Sequence, residues 1–283
     1  MAHVAVITSA AGVADDQVSA VLATLADAGE VTRLGAGAVE IALASAPPVE
    51  PRLPDADVNV IPAANRRKRL LIADMDSTMI PVECIDELAD FAGVKDRVAD
   101  ITERAMAGEL DFEAALRERV ALIKGLPESA LQECFDTRIA LNPGARTLVQ
   151  TMNALGAQTA LVSGGFTFFT ERVAQAAGFA TNRANTLLFA NGQLTGDVGT
   201  PILGRAAKLE AMKRFCAEGG FGPEDAIAVG DGANDLSMVE TAGLGVAYRA
   251  KPALKAGADA VLDHSDLTAL LSLQGIPDAE FRG

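Results

Sequence analysis

Tryptophan is absent from the 283 residues, tyrosine occurs once, and aromatic residues make up only 4% of the chain. Any core must therefore be built from Ala, Val, Leu and Ile, and the 49% hydrophobic content supplies them. Basic residues are also scarce. The 24 Lys and Arg stand against 38 Asp and Glu, which leaves a formal net charge of -14. That balance excludes a nucleic-acid partner, because binding a polyanion takes a basic surface. The three cysteines, Cys84, Cys134 and Cys216, lie far apart without metal-ligand spacing. So sparse an odd count fits reduced thiols and excludes a disulfide framework. No apolar run reaches the ~18 residues of a membrane helix. The opening MAHVAVITSA lacks the basic start and long apolar stretch of a signal peptide. The expectation is a cytoplasmic protein with no membrane partner.

What is present divides the chain into parts. Residues 1–45 read as a small αβ unit: HVAVIT as a strand, DDQVSAVLATLADAG as a helix ending at Gly29, AVEIALA as a strand. Residues 46–68, from the Pro-rich APPVEPRLP to NRRKR, read as a linker. The basic cluster there is better read as a solvated patch than as a nucleic-acid site, given the net charge. The remainder, 69–283, alternates helices with the short apolar runs LLIAD, TALVSGG, AIAVGDG, GLGVAY and AVLD. That alternation predicts an α/β fold with a parallel sheet covered on both faces. A charged helical stretch over about 82–140 follows the first run and is placed to fold over the sheet as a cap. Asn191-Gly192, between alternating residues, predicts a type I′ hairpin. On this division a chain beginning near Ala64 should keep its activity.

Polar residues close three of the apolar runs, and in an open α/β sheet that edge is where ligands bind. In DMDST, Asp74 and Asp76 point the same way from an extended segment. Two carboxylates so close need a cation or a shared proton. One can then act as a nucleophile and the other as general acid and base. A bare DxD is more often a solvated turn, but a buried strand directly before it reverses the balance. In VSGG, Ser163 and Gly164 precede a helix start near Phe166 or Thr167, which makes an anion cradle; alone it is also an ordinary turn. Lys208, early in a helix, supplies a cation where most helical lysines only face water. In VGDGANDLSM, Asp231, Asn234 and Asp235 offer oxygens suited to a hard cation such as Mg²⁺. An Asp-Gly turn capped by Asn would explain that segment less well, since it leaves the second Asp unaccounted for.

These four segments, in this order, resemble the haloacid dehalogenase superfamily over about 69–275. The resemblance implies a Rossmann-like parallel sheet with an inserted helical cap. It also implies Asp74 as nucleophile, Asp76 as acid and base, and Mg²⁺ held by Asp74, the Asp76 carbonyl and Asp231 with support from Asp235. Ser163, Gly164 and Lys208 would hold the phosphoryl group, and Asn234 would order that end of the site. The segment DFEAALRERVALIKGLP and Glu83 in PVEC look like the cap of the phosphoserine phosphatases. In that pattern Glu83 and Arg119 hold the substrate's amino and carboxylate groups, and Met106 and Phe112 close a hydrophobic lid. The implied reaction is hydrolysis of O-phospho-L-serine, the last step of serine biosynthesis. Many relatives carry an ACT-like domain before the catalytic part. Residues 1–45 read as a degenerate version of it, with a homodimer through this unit left open.

Rival readings are a mutase or a phosphatase or phosphotransferase for another small ester, and a non-enzymatic module that senses an amino acid. An ion pump of the same superfamily is set aside by Asp76, since pumps carry Thr there, and by the missing membrane helices.

Overall fold

A computed structural model describes residues 2–106 and 109–283 of the chain. The N-terminal part comprises β1 (His3–Thr8), α1 (Asp15–Leu22), β2 (Ala28–Gly35), β3 (Ala38–Leu43) and β4 (Asp57–Pro62). They form an antiparallel sheet in the order β2-β3-β1-β4. This is the order of a ferredoxin-like βαββαβ unit in which residues 44–56 stand where the second helix would be.

Two expectations for this part are corrected. The first helix ends at Leu22, and Gly29 lies in β2. Along β2 only Leu34 is buried, so no alternation marks it as a strand. Residues 46–68 are not a free linker, because they contain β4, the neighbour of β1. Its buried positions are Asp57, Asn59 and Ile61. The Asn59 amide donates to the Val261 carbonyl at 3.1 Å, and its oxygen accepts the Val261 N–H at 2.7 Å. Asp57 accepts the N–H groups of Asp263 (2.9 Å), His264 (3.1 Å) and Ser265 (2.9 Å), and the Ser265 hydroxyl at 2.6 Å. Val4, Val6 and Ile61 join the same buried cluster as Leu267, Leu270 and Ile276. On the opposite face, Ala5, Ile7 and Ile41 pack with Val18 and Val21 of α1.

The second part starts with β5 (Leu70–Ala73), and its six-stranded parallel sheet has the order β12-β11-β10-β5-β6-β7. The other strands are β6 (Gln158–Phe166), β7 (Thr181–Asn185), β10 (Ala226–Gly230), β11 (Leu244–Tyr248) and β12 (Ala260–Leu262). Every residue of β5, β10 and β11 is buried, which is why they read as unbroken apolar runs. Alternate residues feed opposite faces. Leu71, Ala73, Ile227 and Val229 face one core, and Leu70, Ile72, Ala226 and Ala228 face the other. The first face is covered by α6 (Ala145–Ala154), α7 (Thr167–Ala177) and α11 (Ala269–Leu273). The second is covered by α8 (Arg205–Gly219), α9 (Leu236–Thr241) and α10 (Pro252–Lys255).

Between β5 and α6 the cap is inserted as α2 (Cys84–Phe91), α3 (Lys95–Met106), α4 (Phe112–Leu122) and α5 (Glu128–Arg138). A hairpin, β8 (Leu187–Ala190) and β9 (Gln193–Val198), turns at Asn191 and Gly192 with φ of 52° and 75°. Two positive φ values are what a type I′ turn requires. This hairpin is bonded to the loop after α4. The Gly125 N–H donates to the Leu194 carbonyl (2.8 Å), the Leu194 N–H to Leu126 (2.9 Å), and the Glu128 N–H to Gly192 (3.1 Å). Among the described residues no helix is long and apolar enough to cross a membrane.

Candidate active site

Parallel pairing brings the ends of β5, β6 and β10 side by side, so Asp74, Ser163 and Asp231 converge as the sequence predicts. The Asp74 N–H donates to the Val229 carbonyl at 3.0 Å, which ties the first motif to β10, the strand that leads into the last motif. The Met75 N–H donates to Asp74 Oδ1 at 2.7 Å and sets the rotamer of the carboxylate. Asp74 Oδ2 meets Lys208 Nζ at 2.7 Å, and Asn234 Nδ2 stands 3.5 Å from it.

Asp235 is more central than the supporting place given to it from sequence. It is fully buried, and its Oδ1 accepts from Lys208 Nζ at 2.6 Å. Its Oδ2 accepts the N–H groups of Asp231 (3.3 Å) and Gly232 (3.2 Å). One carboxylate thus fixes both the ammonium and the turn that carries Asp231. Ligand oxygens of Asp74, Asp231 and Asp235 all lie within 4.8 Å of one another. Three carboxylates against one lysine leave an excess of negative charge that suits a hard divalent cation. Burial pushes the Asp74 carboxyl well above the usual range, and the Asp235 charge adds to this against the pull of Lys208. Burial, then Asp235, pushes Asp231 up to about 6. Burial alone would lower the Lys208 pKa, but Asp235 and Asp74 outweigh it and hold the ammonium charged.

Asp76 sits beside this cluster with 8% of its surface exposed. Its Oδ1 accepts the Cys84 N–H at 3.1 Å, and the Ser163 hydroxyl stands 3.5 Å from Oδ2. Burial, then the charge of Glu83, pushes its carboxyl up to about 7. A group balanced there can give up a proton and take one back near neutral pH. The Gly165 N–H donates to Ser163 Oγ at 2.8 Å. A Cβ on Gly165 would come within 2.7 Å of Asp76 Oδ2, so the cradle needs glycine at this position.

The cap closes over these groups. A Cβ on Gly164 would lie 3.1 Å from Phe112 Cζ, so the Phe112 ring rests directly on the cradle. Met106, expected beside it, ends α3, and its side chain lies outside the described residues. Glu83 is exposed and accepts the Ser77 hydroxyl at 2.7 Å. Arg119 is half-buried on α4, and its Nε donates to the Ala115 carbonyl at 3.3 Å. Burial lowers the Arg119 pKa, while Asp86, Glu83 and Asp76 act to raise it. The Glu83 and Arg119 charges therefore both reach the Asp76 side of the site. Cavities of about 190 Å³ beside Ser9 and Asp266, and about 520 Å³ beside Arg183 and Pro201, lie away from these carboxylates.

No local pattern in the sequence marks the Cys84 amide as a donor to Asp76.

Residues 71–240 match the haloacid dehalogenase-like hydrolase family. The chain belongs to that family. It is 45% identical over 218 residues to a phosphoserine phosphatase of Archaeoglobus fulgidus, an alignment that takes in 77% of this chain and 63% of that protein. The fold resembles a HAD family hydrolase of Salmonella enterica serovar Typhi with a TM-score of 0.84 at 29% identity, covering 96% of this chain and 98% of that one. It also resembles a phosphoserine phosphatase carrying a phospho-aspartyl intermediate analogue. There the TM-score is 0.68 at 40% identity, over 73% of this chain and 98% of that one.

Proposed function

We propose that this HAD hydrolase converts O-phospho-L-serine to L-serine and phosphate through an aspartyl-phosphate on Asp74. The observation that carries the reading is the pairing of Asp74, held by Lys208 and the Met75 amide, with an Asp76 carboxyl raised to about 7 beneath a cap bearing Glu83 and Arg119. The likeness to a phosphoserine phosphatase holding an analogue of that intermediate supports it.

Asp74 attacks phosphorus and forms an Asp–O–P bond as the bond from phosphorus to the serine oxygen breaks. Asp76 gives its proton to the departing oxygen. The resulting Asp76 carboxylate then takes a proton from water, the water oxygen bonds to phosphorus, and the Asp–O–P bond breaks. Ser163 and the Gly164 and Lys208 donors hold the phosphoryl oxygens through both steps, and Asn234 orders the Asp74 end. Asp74, Asp231 and the Asp76 carbonyl would hold a divalent cation, Mg²⁺ on this reading, which would neutralise the phosphoryl charge. Positioning and electrostatics provide most of the rate. Glu83 pairs the substrate ammonium, and Arg119 grips its carboxylate.

The test is release of inorganic phosphate from phosphoserine, phosphothreonine, a sugar phosphate and p-nitrophenyl phosphate, with and without Mg²⁺. Preference for phosphoserine upholds the reading. Preference for the sugar phosphate would move the chain to another branch of its family.

A further inference from the structure

Asn185 closes β7 and is 2% exposed. Its side chain makes three hydrogen bonds. Oδ1 accepts the Leu203 N–H at 2.7 Å, while Nδ2 donates to the Leu203 carbonyl at 3.3 Å and to the Gly164 carbonyl at 2.8 Å. An amide bonded to both backbone groups of one residue pairs with it as a neighbouring strand would. The chain is thereby held at Leu203, just before Gly204, the N-cap of α8, with Lys208 in the first turn beyond.

The third bond acts on the cradle. A trans peptide is planar, and its C=O and N–H point opposite ways. Drawing the Gly164 oxygen toward Asn185 therefore turns the Gly165 N–H to the other side, where it meets Ser163 Oγ. The lid lands on the same two anchored points. A Cβ on Gly204 would lie 3.4 Å from the Phe112 ring, and one on Gly164 would lie 3.1 Å from it.

We propose that Asn185 is a positioning residue for the phosphoryl cradle. It locks the Gly164–Gly165 peptide, whose N–H holds the Ser163 hydroxyl, and the start of the Lys208 helix to one another, so that hydroxyl and ammonium meet the phosphoryl oxygens together. This rests on the phosphatase reading. Asn185 bonds neither to the carboxylates that would hold a cation nor to the cap residues assigned to the amino-acid end. Its loss should therefore weaken phosphate handling for every ester and leave the metal requirement alone.

The experiment compares the full chain with Asn185→Ala and Asn185→Asp. It measures thermal unfolding, kcat/KM for phosphoserine and p-nitrophenyl phosphate, inhibition by orthophosphate, and Mg²⁺ half-saturation. A misplaced cradle should lower kcat/KM by about 100-fold for both substrates, the cost typical of misplacement by an ångström. Orthophosphate inhibition should weaken about tenfold, with Mg²⁺ half-saturation within about twofold of wild type. Asn185→Asp should be impaired at least as much, since it sets a carboxylate against the two carbonyls. A folded variant with kcat/KM within about threefold of wild type overturns the proposal, as does an equal shift in the Mg²⁺ and phosphate constants. If the alanine variant does not fold, the aspartate variant, which keeps the Leu203 N–H bond, decides by the same numbers. If neither folds, Asn185 is a folding residue and the proposal fails. Wild type inactive on phosphoserine would sink the substrate assignment, while p-nitrophenyl phosphate and orthophosphate would still report on the cradle.

Discussion

Asp57→Ala tests whether the N-terminal sheet is part of the catalytic fold. The carboxylate is 6% exposed and accepts from three successive amides and the Ser265 hydroxyl. Hydrogen bonds to a charged group contribute about 1.5–3 kcal/mol each, but four that share one carboxylate are not additive. Water will reach part of the vacated site, so a net loss of about 4 kcal/mol is expected. For a chain of this size each kcal/mol moves Tm by about 2–4 °C, which gives a fall of about 8–16 °C. Asp55→Ala is the control, because that exposed side chain bonds only the Gln17 amide. Its Tm should move by no more than about 2 °C. Thermal unfolding followed by circular dichroism reads both variants. Phosphate release at 20 °C should be unchanged in the Asp57 variant, since the carboxylate touches no catalytic group. A fall of less than about 3 °C with cooperativity intact would show that the sheet hangs loosely on the catalytic part.

Removing residues 1–63 should be more damaging. Val4, Val6 and Ile61 fill the shared core, and at about 1.5–3 kcal/mol per buried side chain their loss approaches the whole stability of a typical domain. A well-folded, active shortened chain, judged by a cooperative melt, would refute this. Asp74→Asn should fold normally and release no phosphate, because the amide is a far poorer nucleophile; wild-type release from it would exclude the covalent route. Arg119→Ala should lower kcat/KM for phosphoserine by about one to three powers of ten and Glu83→Gln by somewhat less, with p-nitrophenyl phosphate hardly affected. Equal losses on both substrates would make these residues structural. Mg²⁺ half-saturation should rise as pH falls through about 6, where protons compete for Asp231, and Ca²⁺ should support activity poorly. A half-saturation constant flat from pH 5 to 8 on titration, roughly the range a carboxyl in this state would cover, would sink that account.

Five of the six catalytic strands and the four motifs were legible because their signals are local, whereas β7, TNRAN, has no apolar run. LLIAD, AIAVGDG and VSGG each join an apolar strand to a polar end, and Asn191-Gly192 names its own turn. In the N-terminal sheet β1 and β3 were legible but β2 and β4 were not, and β4 inverts the usual rule. Its polar residues Asp57 and Asn59 face inward to bond the catalytic part, while Val58 and Val60 are only half-buried. Asn185 was hidden for a related reason. Its three bonds reach across about 20 residues in each direction, and nothing in RANTLL announces them.

The hairpin bonded to the cap has a mechanical consequence. The lid is joined to the body through both of its chain connections and, at a third place, through backbone bonds to β9. Through these bonds the cap and the two-stranded hairpin move as one, and Phe112 comes down on the floor of the site. Hairpin and cap are therefore one mechanical unit, and the segment from Leu187 to Val198 shares with the cap helices the setting of access to Asp74.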